Sequence, residues 1–594
     1  MSTSLHNFSF FIDPTKALLV LESADLLDEA IPEESPLRRL HSSAHTLPRT
    51  SGDSSAVVPL SLPLLWDSRD ILPHQLQRIA KKGDLPEFIF VARKGSRFNG
   101  HALVEQVLSS GNIFLGEIGI LTEFMNQNQR PEEWIEEVFA HPFLIKVRNC
   151  EFALRKTLGA ASGINASQFT SVAVTGTNGK TSVTQIVGDL LAAVTNQSIL
   201  RIGTLGIQMG SEITPGDYPT MPDFPGFLTA LSAARTKNIS HLAMEATSHG
   251  LHQNRMGDWA VDVGIFTNIT QDHLDYHGSM ENYLRAKSIL FEQHIKHGGT
   301  VVVNIDDPSW QKICAAAQHP QKNILGFGSS VNKEIFFSFC AKKFAGVRFL
   351  GLAQRISLMS GIQGIWTLQK EKGSPTEANY FCGLIGDFQH ENLSASCAAL
   401  VALGYPLAQV AKVLASVKNI PGRLELVRLD QGKKGISAQK NLPTVLVDYA
   451  HSPDALEKAL QTCRGVTGKK GKIVCVFGCG GDRDAGKRPL MGALAERLAD
   501  LTVVTSDNPR TEYPDKIIQD ILAGMKDRTK VTVEAQREKA ITIAIAQSDS
   551  SDLVLIAGKG HEDYQIIGTE KFPFSDVAIS LQALELKAKA LRPS

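Results

Sequence analysis

The chain has 594 residues, a formal net charge of zero and 43% hydrophobic residues. A chain of this length is longer than a domain with a single hydrophobic core usually is, so several domains are expected. The balanced charge offers no overall field for nucleic acid or an anionic membrane surface, so no nucleic-acid partner is predicted. No apolar run reaches the 18 residues typical of a transmembrane helix, so no membrane insertion is expected.

The beginning of the chain lacks the pattern of a targeting segment. Its first 55 residues contain no basic stretch followed by an apolar one, and they carry many acids, which argues against secretory and organellar leaders. Eight cysteines are scattered along the chain without the spacing of a zinc site. We therefore predict a reduced cytoplasmic enzyme, acting as a monomer.

Composition divides the chain into four segments. Residues 1–55 form an N-terminal extension of unknown role that ends in a Ser/Thr/Pro-rich stretch, and residues 56–165 hold short apolar runs such as 88–92. Strand-like and helix-like patterns alternate in residues 166–420 and again in 421–594, with an antiparallel insertion predicted at about 334–380. Besides the runs discussed below, strands are predicted at 300–305, 444–450, 472–478, 501–507 and 552–560. This predicts an α/β protein of three domains: a first domain, a central P-loop-type domain with a parallel sheet, and a C-terminal Rossmann-like domain.

A glycine-bracketed turn at residues 176–182 is typical of a phosphate-binding loop. It follows the apolar run 172–175 and precedes an amphipathic helical pattern, so Gly176 and Gly179 would curl the backbone at the positive end of a helix. Lys180 would meet the terminal phosphates, and the Thr181 hydroxyl would face a magnesium ion. A strict P-loop has glycine where Val174 stands, and the alternative is a plain turn between strand and helix.

Polar residues follow the next predicted strands at the same sheet edge. Glu245 ends the run 241–246, where a carboxylate can hold magnesium opposite the loop, although a solvated strand end is the alternative. His273 follows the run 262–269, where the alternative is a polar turn. Lys287 falls in an apolar helical pattern, and such a lone lysine is usually a surface charge.

Eight motifs in order identify the chain, from about residue 62 to 590, as similar to the Mur ligases. They are GTNGKTS, MEATSHGLHQNR, TNITQDHLDYHG followed by YLRAK, PGRLE, VDYAHSPDAL, GGDRDAGKRPLM, SDNPRTEYP and AGKGHEDYQ. The resemblance implies a UDP-sugar-binding domain at 56–165, an ATP-binding domain at 166–420 and an amino-acid-binding domain at 421–594. It leaves residues 1–55 unexplained.

The resemblance implies ATP and Mg²⁺, with a lysine carbamate formed from CO₂ on Lys287. The expected metal ligands are Thr181, Glu245, His273 and the Lys287 carbamate, and the expected catalytic residues are Lys180, Glu245, His273 and Lys287. ATP contacts are expected at Gly176, Thr177, Asn178, Gly179, Lys180, Thr181, Ser182, Gln389, Asn392, Arg423 and Asp448. Gln389 stands where the family usually has asparagine.

The two remaining substrates of the family are small molecules. The UDP-sugar dipeptide is expected at Ser68, Thr220, Thr247, Gln253 and Arg255; Met221 replaces a second threonine of the family, and Thr247 replaces a serine. The amino acid is expected at Arg483, Asp507, Asn508, Pro509, Arg510, Gly558 and Glu562. The Asp-Asn-Pro-Arg form at 507–510 resembles members that add meso-diaminopimelate, because a guanidinium can hold the second carboxylate of that amino acid.

The implied reaction is ATP-dependent addition of meso-diaminopimelate to UDP-N-acetylmuramoyl-L-alanyl-D-glutamate through an acyl phosphate, a step of peptidoglycan synthesis. A non-catalytic scaffold of the same family and a folylpolyglutamate synthetase are the alternatives. The scaffold could tolerate loss of Lys180, Glu245 or Lys287, all of which are present. The synthetase needs no UDP-sugar domain and no arginine at position 510.

Overall fold

The structure is a computed structural model that describes residues 11–12, 62–65, 89–91 and 100–591, except 110–112, 129–130, 142–143, 215–219, 359, 372, 430–440 and 468–470. Ser68 and nearly all of the predicted extension 1–55 lie outside the described residues. The chain forms two compact units: residues 1–169, 221–240 and 253–259, and residues 170–220, 241–252 and 260–594.

The first unit has a sheet in the order β1-β2-β3-β4-β5. The strands are β1 Phe11–Ile12, β2 Leu62–Leu65, β3 Ile89–Val91, β4 Ile113–Glu117 and β5 Leu144–Val147. The helices are α1 Val104–Ser109, α2 Ile118–Gln127, α3 Glu132–Phe139, α4 Cys150–Ser162 and, later in the chain, α6 Phe224–Thr236. Strands β2 to β5 pair in parallel and β1 pairs antiparallel to β2. Asn149 caps the start of α4 and a left-handed Gly163 ends it, as expected for these residue types.

The second unit contains a large sheet in the order β16-β15-β14-β13-β12-β11-β6-β10-β7-β8-β9. Its strands are β6 Thr170–Thr175, β7 Leu200–Gly203, β8 Gly206–Met209, β9 Glu212–Thr214, β10 His241–Glu245, β11 Val261–Phe266, β12 Ile295–Asn304, β13 Asn323–Gly328, β14 Gly346–Leu358, β15 Gly361–Lys370 and β16 Thr376–Cys382. The run from β14 to β7 in this order is parallel. The predicted strands at 172–175, 241–246, 262–269 and 300–305 are therefore confirmed.

Helices of this part are α5 Lys180–Thr195, α7 Ser248–His252, α8 Leu274–His277, α9 Met280–Gln293, α10 Trp310–Ala317, α11 Lys333–Cys340, α12 Gln389–Ala402 and α13 Leu407–Val413. Within the stretch 334–380, helix α11 comes first, and β14, β15 and β16 then pair antiparallel at one edge of the sheet. Apolar side chains of α5 and α12 share one buried cluster with β6, β11 and β12. This packing explains why both helices begin beside the carboxyl ends of these strands.

A second sheet of the same unit has the order β17-β18-β22-β19-β20-β21, and β23 and β24 form a hairpin. The strands are β17 Glu425–Val427, β18 Thr444–Asp448, β19 Ile473–Phe477, β20 Leu501–Val504, β21 Val531–Val533, β22 Leu553–Ala557, β23 Tyr564–Ile567 and β24 Glu570–Pro573. The helices are α14 Pro453–Thr467, α15 Lys487–Leu498, α16 Pro514–Leu522, α17 Arg537–Gln547 and α18 Asp576–Ala590. In this order, each neighbouring pair of strands from β18 through β22, β19 and β20 to β21 is parallel. Apolar clusters cover both faces of the sheet, so the predicted α/β class is confirmed.

Among the described helices, none has both the length and the apolar character that would let it cross a bilayer.

Candidate functional site

The predicted phosphate loop connects β6 to α5. Gly179 has a φ of 86° and precedes the first helical residue, Lys180. The loop is held by Asn268, whose backbone oxygen accepts from the Thr177 N–H at 2.8 Å and whose Oδ1 accepts from the Asn178 N–H at 2.9 Å. The N–H groups in the first turn of α5 have no partner inside the helix, so they can receive an anion.

Neither loop glycine has room for a side chain. A Cβ on Gly176 would lie 1.9 Å from Thr267 Oγ1, and a Cβ on Gly179 would lie 2.7 Å from Asn392 Oδ1. Positive φ values add backbone strain for any L residue there. The tight approach of neighbouring elements therefore supplies a reason for glycine at each position.

Two lysine side chains converge on this loop. Lys180 Nζ donates to the carbonyl oxygens of Gly176 at 3.0 Å and Thr177 at 2.9 Å, and Lys287 Nζ donates to the same Gly176 oxygen at 2.7 Å. Lys287 is only 1% exposed and its Nζ lies 4.2 Å from the Tyr283 ring centroid. The interpretation of Lys287 as an ordinary surface charge is wrong, because α9 turns this side chain inward.

Burial dominates the electrostatics of both lysines. It lowers the pKa of Lys287 well below its ordinary value, and nearby Lys180 lowers it further while Asp272 opposes the shift. The pKa of Lys180 is lowered as well, first by burial, while Glu245 and Asp272 oppose the shift. A buried amine with a low pKa has an accessible neutral form, which is the nucleophilic form.

Glu245 lies at the carboxyl end of β10, next to the loop. It is 1% exposed; its Oε1 accepts from the Thr204 N–H at 2.8 Å, and its Oε2 lies 3.2 Å from the hydroxyl oxygens of Thr181 and Thr204. A Cβ on Gly203 would come within 2.3 Å of Glu245 Oε1. A buried carboxylate with two hydroxyl oxygens is a hard-oxygen donor set, which fits a magnesium ion.

His273 is placed differently from Glu245. It has a left-handed φ of 52°, its side chain is 46% exposed, and its Nε2 lies 3.5 Å from Asp272 Oδ2. Its ring contacts those of His249 and Tyr283. Across the described part of the chain, no three His, Cys, Asp or Glu side chains are grouped as a metal site. The structure thus brings Thr181 and Glu245 together, whereas His273 makes other contacts.

Gln389 and Asn392 open helix α12 and border the loop. Gln389 is 1% exposed, and its Oε1 accepts from Asn392 Nδ2 at 2.9 Å. Its own Nε2 is buried and has no hydrogen-bond partner among the described residues. An unsatisfied buried amide is costly, so this atom points to a missing acceptor such as a base nitrogen of a nucleotide.

Arg423 and Asp448 lie where the second sheet begins. The Asp448 carboxylate accepts from the N–H groups of Leu424 at 2.7 Å and Ala450 at 2.8 Å, and burial raises its pKa. The Arg423 guanidinium lies 5.1 Å from the Tyr449 ring centroid and is one of the charges that lower the pKa of Lys180. Arg423 is therefore near enough to Lys180 to affect its pKa, and it also opposes the upward shift in the pKa of Asp448.

The residues expected to bind the dipeptide divide between the units. In the second unit, Thr220 has a φ of 54° and its hydroxyl lies 3.3 Å from that of Thr204, while Thr247 Oγ1 accepts from the Gly250 N–H. In the first unit, Arg255 donates to the Gln253 side chain and to the Met221 carbonyl oxygen.

The predicted amino-acid site consists of three loops that follow the parallel strands β19, β20 and β22. We name them loop 480–486, loop 507–512 and loop 558–563. Asp507 and Asn508 are buried, Gly558 has a φ of 119°, and a Cβ there would lie 2.5 Å from Asp507 Oδ2. Burial raises the pKa of Asp507, although Arg537 and Lys559 oppose the shift. Pro509 lies between Asn508 and Arg510, and Arg483 lies exposed on loop 480–486.

Glu562 is already engaged by neighbours. Its Oε2 accepts from Asn508 Nδ2 at 2.9 Å and from Lys559 Nζ at 3.0 Å, and Lys559 Nζ also donates to Asn508 Oδ1. Lys559 is fully buried. A carboxylate has about four acceptor positions in all, so Oε1 can still receive an ammonium group.

Sequence reasoning missed several residues of these sites. Thr204 and Asn268 end or follow strands beside the phosphate loop, while Arg488 and Lys559 lie inside motifs in which only other residues were assigned. The signal for Asn268 was available, since it is a polar residue at the end of the predicted strand 262–269, whereas no strand was predicted before Thr204. For Arg488 and Lys559 the pattern carried no sign that these cations are buried.

Comparison with known proteins agrees with this geometry. Residues 174–400 match the Mur ligase middle domain, and residues 422–560 match the Mur ligase glutamate ligase domain. Two similar curated proteins are both named UDP-N-acetylmuramoyl-L-alanyl-D-glutamate–2,6-diaminopimelate ligase. The one from Parasynechococcus marenigrum (strain WH8102) is 38% identical over 84% of this chain and 91% of its own length. The one from Pseudomonas aeruginosa is 35% identical over 89% of this chain and 98% of its own length.

Solved structures point the same way. The structure of a UDP-N-acetylmuramoyl-L-alanyl-D-glutamate–2,6-diaminopimelate ligase covers 88% of this chain and 94% of its own, with a TM-score of 0.58 and 27% identity. A crystal structure of MurF from Acinetobacter baumannii shares the fold, with a TM-score of 0.50, 19% identity and coverage of 90% of this chain and 95% of its own. With a curated relative 38% identical across nine-tenths of its length, the chain belongs to the Mur ligase family.

Proposed function

We propose that this chain is an ATP-dependent ligase that joins meso-diaminopimelate to UDP-N-acetylmuramoyl-L-alanyl-D-glutamate. The observation that carries the proposal is the phosphate loop, where Lys180 and Lys287 donate to the same Gly176 carbonyl oxygen and the Thr181 hydroxyl donates to the buried Glu245 carboxylate. The names of the curated relatives support the choice of substrates. The domains would be a UDP-sugar domain at 56–165, an ATP domain at 166–420 and an amino-acid domain at 421–594.

The reaction needs an activated carboxylate, because a carboxylate oxygen is a poor leaving group. The γ-carboxylate oxygen of the D-glutamyl residue attacks the terminal phosphorus of ATP, and the bond to the ADP oxygen breaks. The Lys180 ammonium neutralises charge on the transferring phosphoryl group. The amine of diaminopimelate then attacks the acyl carbon, loses a proton and expels phosphate. Holding the reacting groups in place accounts for much of the rate.

The ATP contacts are proposed at Gly176, Thr177, Asn178, Gly179, Lys180, Thr181, Ser182, Gln389, Asn392, Arg423 and Asp448. Thr181, Glu245, His273 and a carbamate on Lys287 would hold magnesium, which would neutralise charge on the phosphate oxygens. The donor set supports this, since Glu245 is buried beside two hydroxyl oxygens. Thr220, Thr247, Gln253 and Arg255 would hold the dipeptide, together with Ser68.

A carbamate on Lys287 would form when the neutral amine attacks CO₂, creating an N–C bond and releasing one proton. The product is an anion, which replaces a cation that would repel magnesium. The low pKa of this buried lysine supports the step. With ¹³C-labelled bicarbonate, we expect a carbamate carbonyl signal in the ¹³C NMR spectrum of the protein and none in Lys287→Met. Equal spectra for Lys287→Met and the unaltered protein would contradict it; Lys322→Met is the matched control, since Lys322 is also buried.

Diaminopimelate would be held by Arg483, Asp507, Asn508, Pro509, Arg510, Gly558 and Glu562. Glu562 suits the distal ammonium and Arg510 the distal carboxylate, as a bidentate pair. Lysine lacks that carboxylate and would bring its ammonium toward the guanidinium, which is repulsive.

Arg510→Ala is expected to raise KM for diaminopimelate by about 10-fold to 100-fold, because a hydrogen bond to a charged group contributes about 1.5–3 kcal/mol. KM for ATP should stay unchanged. Steady-state kinetics with each substrate varied in turn measure both. An unchanged KM for diaminopimelate would refute the role of Arg510, and Arg528→Ala, on a loop beyond α16, serves as the control.

The proposed function is tested with purified protein, ATP, magnesium, bicarbonate and UDP-N-acetylmuramoyl-L-alanyl-D-glutamate. Parallel reactions contain meso-diaminopimelate, L-lysine or no amino acid, and phosphate release and the tripeptide product are measured. Product with diaminopimelate alone is the expected result. Product with lysine instead would retain the ligase and overturn the acceptor. If the protein still binds ATP but forms no product with any acceptor, the alternative of a non-catalytic scaffold protein would be favoured.

We also propose that the protein acts in the cytoplasm, as a monomer. Eight buried cysteines, none of them in a disulfide, support a reducing compartment. Sedimentation of the purified protein would test the monomer, and fractionation of cells would test the location.

A further inference from the structure

The backbone at Arg510 is unusual for an arginine. Its φ is 51°, a left-handed value, and its main chain is held on both sides by the β23–β24 hairpin: its N–H donates to Ile566 O at 3.1 Å and its carbonyl accepts from Gly568 N at 2.8 Å. Its Nη1 donates to the Gly481 carbonyl oxygen at 2.8 Å. The direction of the guanidinium therefore depends on where loop 480–486 places that carbonyl.

Loop 480–486 lies against loop 507–512 with no spare room. The Gly481 N–H donates to Asn508 O at 2.9 Å, and a Cβ on Gly481 would lie 1.9 Å from Pro509 O. A Cβ on Gly480 would lie 2.9 Å from Arg510 Nη1. A small displacement of one loop would therefore move the carbonyl that orients Arg510.

Asp482 of loop 480–486 and Glu512 of loop 507–512 take part in further hydrogen bonds between the two loops. Asp482 has a φ of 53°; its carboxylate accepts from Thr511 Oγ1 at 2.7 Å and from Thr511 N at 3.1 Å. The Asp482 N–H in turn donates to Glu512 Oε1 at 2.6 Å. A left-handed backbone conformation costs free energy in a residue other than glycine. These contacts hold Asp482 in that conformation.

Arg488, in the first turn of α15, donates hydrogen bonds to both loops. It is 1% exposed; its Nη1 and Nη2 donate to the two Glu512 oxygens at 2.9 and 2.7 Å, and its Nη1 donates to Asp520 Oδ2 at 2.8 Å. Its Nη2 also reaches the Gly480 carbonyl oxygen at 3.3 Å. The Arg488 guanidinium and the Asp482 N–H lower the pKa of Glu512 to about 2.

We propose that Arg488, acting through Glu512, is a positioning residue that sets the direction of the Arg510 guanidinium and so the preference for an acceptor with a second carboxylate. This rests on the proposed function. A planar guanidinium can hold both Glu512 oxygens and the Gly480 carbonyl together, whereas a lysine ammonium has a single nitrogen for all of them. Arg488→Lys would keep the charge and lose the alignment.

The test measures kinetics of Arg488→Lys and Glu512→Gln with each substrate varied. We expect KM for diaminopimelate to rise by about tenfold and kcat and KM for ATP to stay within about twofold, since the loss concerns one charge-assisted contact. The preference for diaminopimelate over lysine should fall by a similar factor. Arg497→Lys is the matched control, because Arg497 lies on the same helix and pairs with Glu457 at 2.7 Å while 61% exposed.

A double variant separates positioning from general loosening. In an Arg510→Ala background, Arg488→Lys should change KM for diaminopimelate by less than about twofold, because its effect passes through Arg510. Additive effects, or an unchanged KM in both single variants, would overturn the inference while tripeptide formation by the unaltered protein retains the proposed function. If Arg488→Lys fails to fold, Glu512→Gln decides, since Arg488 then keeps Asp520. No tripeptide from the unaltered protein would overturn both proposals.

Discussion

Replacement of Lys180 by methionine is expected to lower kcat by about 10³-fold or more, because a cation on the transferring phosphoryl group supplies rate accelerations of that order. Methionine keeps an unbranched side chain and removes the ammonium group, with its charge and its N–H donors. Lys180 Nζ donates to the carbonyl oxygens of Gly176 and Thr177, so its ammonium group lies beside the loop that would receive the phosphates. Single-turnover measurements of phosphate release, with saturating substrates, would check the effect.

Lys458→Met is the control for Lys180→Met, because Lys458 is 54% exposed and forms an ion pair with Asp454 on its own helix. The control should keep kcat within about twofold of the unaltered enzyme, as expected for an exposed ion pair. A thermal melt establishes that the Lys180 variant is folded. A folded Lys180→Met enzyme with kcat reduced by less than tenfold would refute the role of this lysine in phosphoryl transfer.

Replacement of Asp576 by alanine is expected to destabilise the protein by about 3–5 kcal/mol, because removing one partner leaves a buried charge without compensation. Arg537 and Asp576 are both fully buried, and the guanidinium donates to the two carboxylate oxygens at 2.8 and 2.7 Å. Arg537 also donates to the carbonyl oxygens of Ser506 and Ala557, which directly precede loops 507–512 and 558–563. The pair therefore links the start of helix α18 to the residues that precede loops 507–512 and 558–563.

Urea denaturation of Asp576→Ala and of Glu457→Ala gives the comparison. Glu457 forms an exposed pair with Arg497, so its loss should cost at most about 1 kcal/mol. Replacing both buried partners, as Arg537→Met with Asp576→Leu, should restore part of the stability, since no charge is then left alone. A loss for Asp576→Ala no larger than that for Glu457→Ala would contradict the assignment of a buried pair.

Local patterns predicted the strands and the phosphate loop because these signals lie within a few residues. The apolar run 172–175 followed by Gly176 and Gly179 defines a strand, a turn and a helix start without help from distant residues. The runs at 444–450, 472–478, 501–507 and 552–560 likewise became the parallel strands of the second sheet. Glu245 followed from the rule that polar residues collect at the carboxyl edge of such a sheet.

Burial of charge could not be read from those patterns. The pattern of a lysine in a helix indicates a surface residue, yet Lys287 is buried and donates to the Gly176 carbonyl oxygen, because α9 turns this side chain toward the loop. Arg488 and Lys559 stood within recognised motifs, but their partners Glu512 and Asn508 come from other loops.

Sequence patterns therefore account for the α/β class, the order of the strands along the chain and the types of residue at the strand ends, since these depend on short-range periodicity and chain order. The folded arrangement decided which of these residues meet, which cations are desolvated and which carboxylates are already paired. Those properties depend on contacts between segments far apart in the chain, such as Lys287 with Gly176 and Arg510 with Gly481. Only packing of the sheets and helices brings such segments within hydrogen-bonding distance.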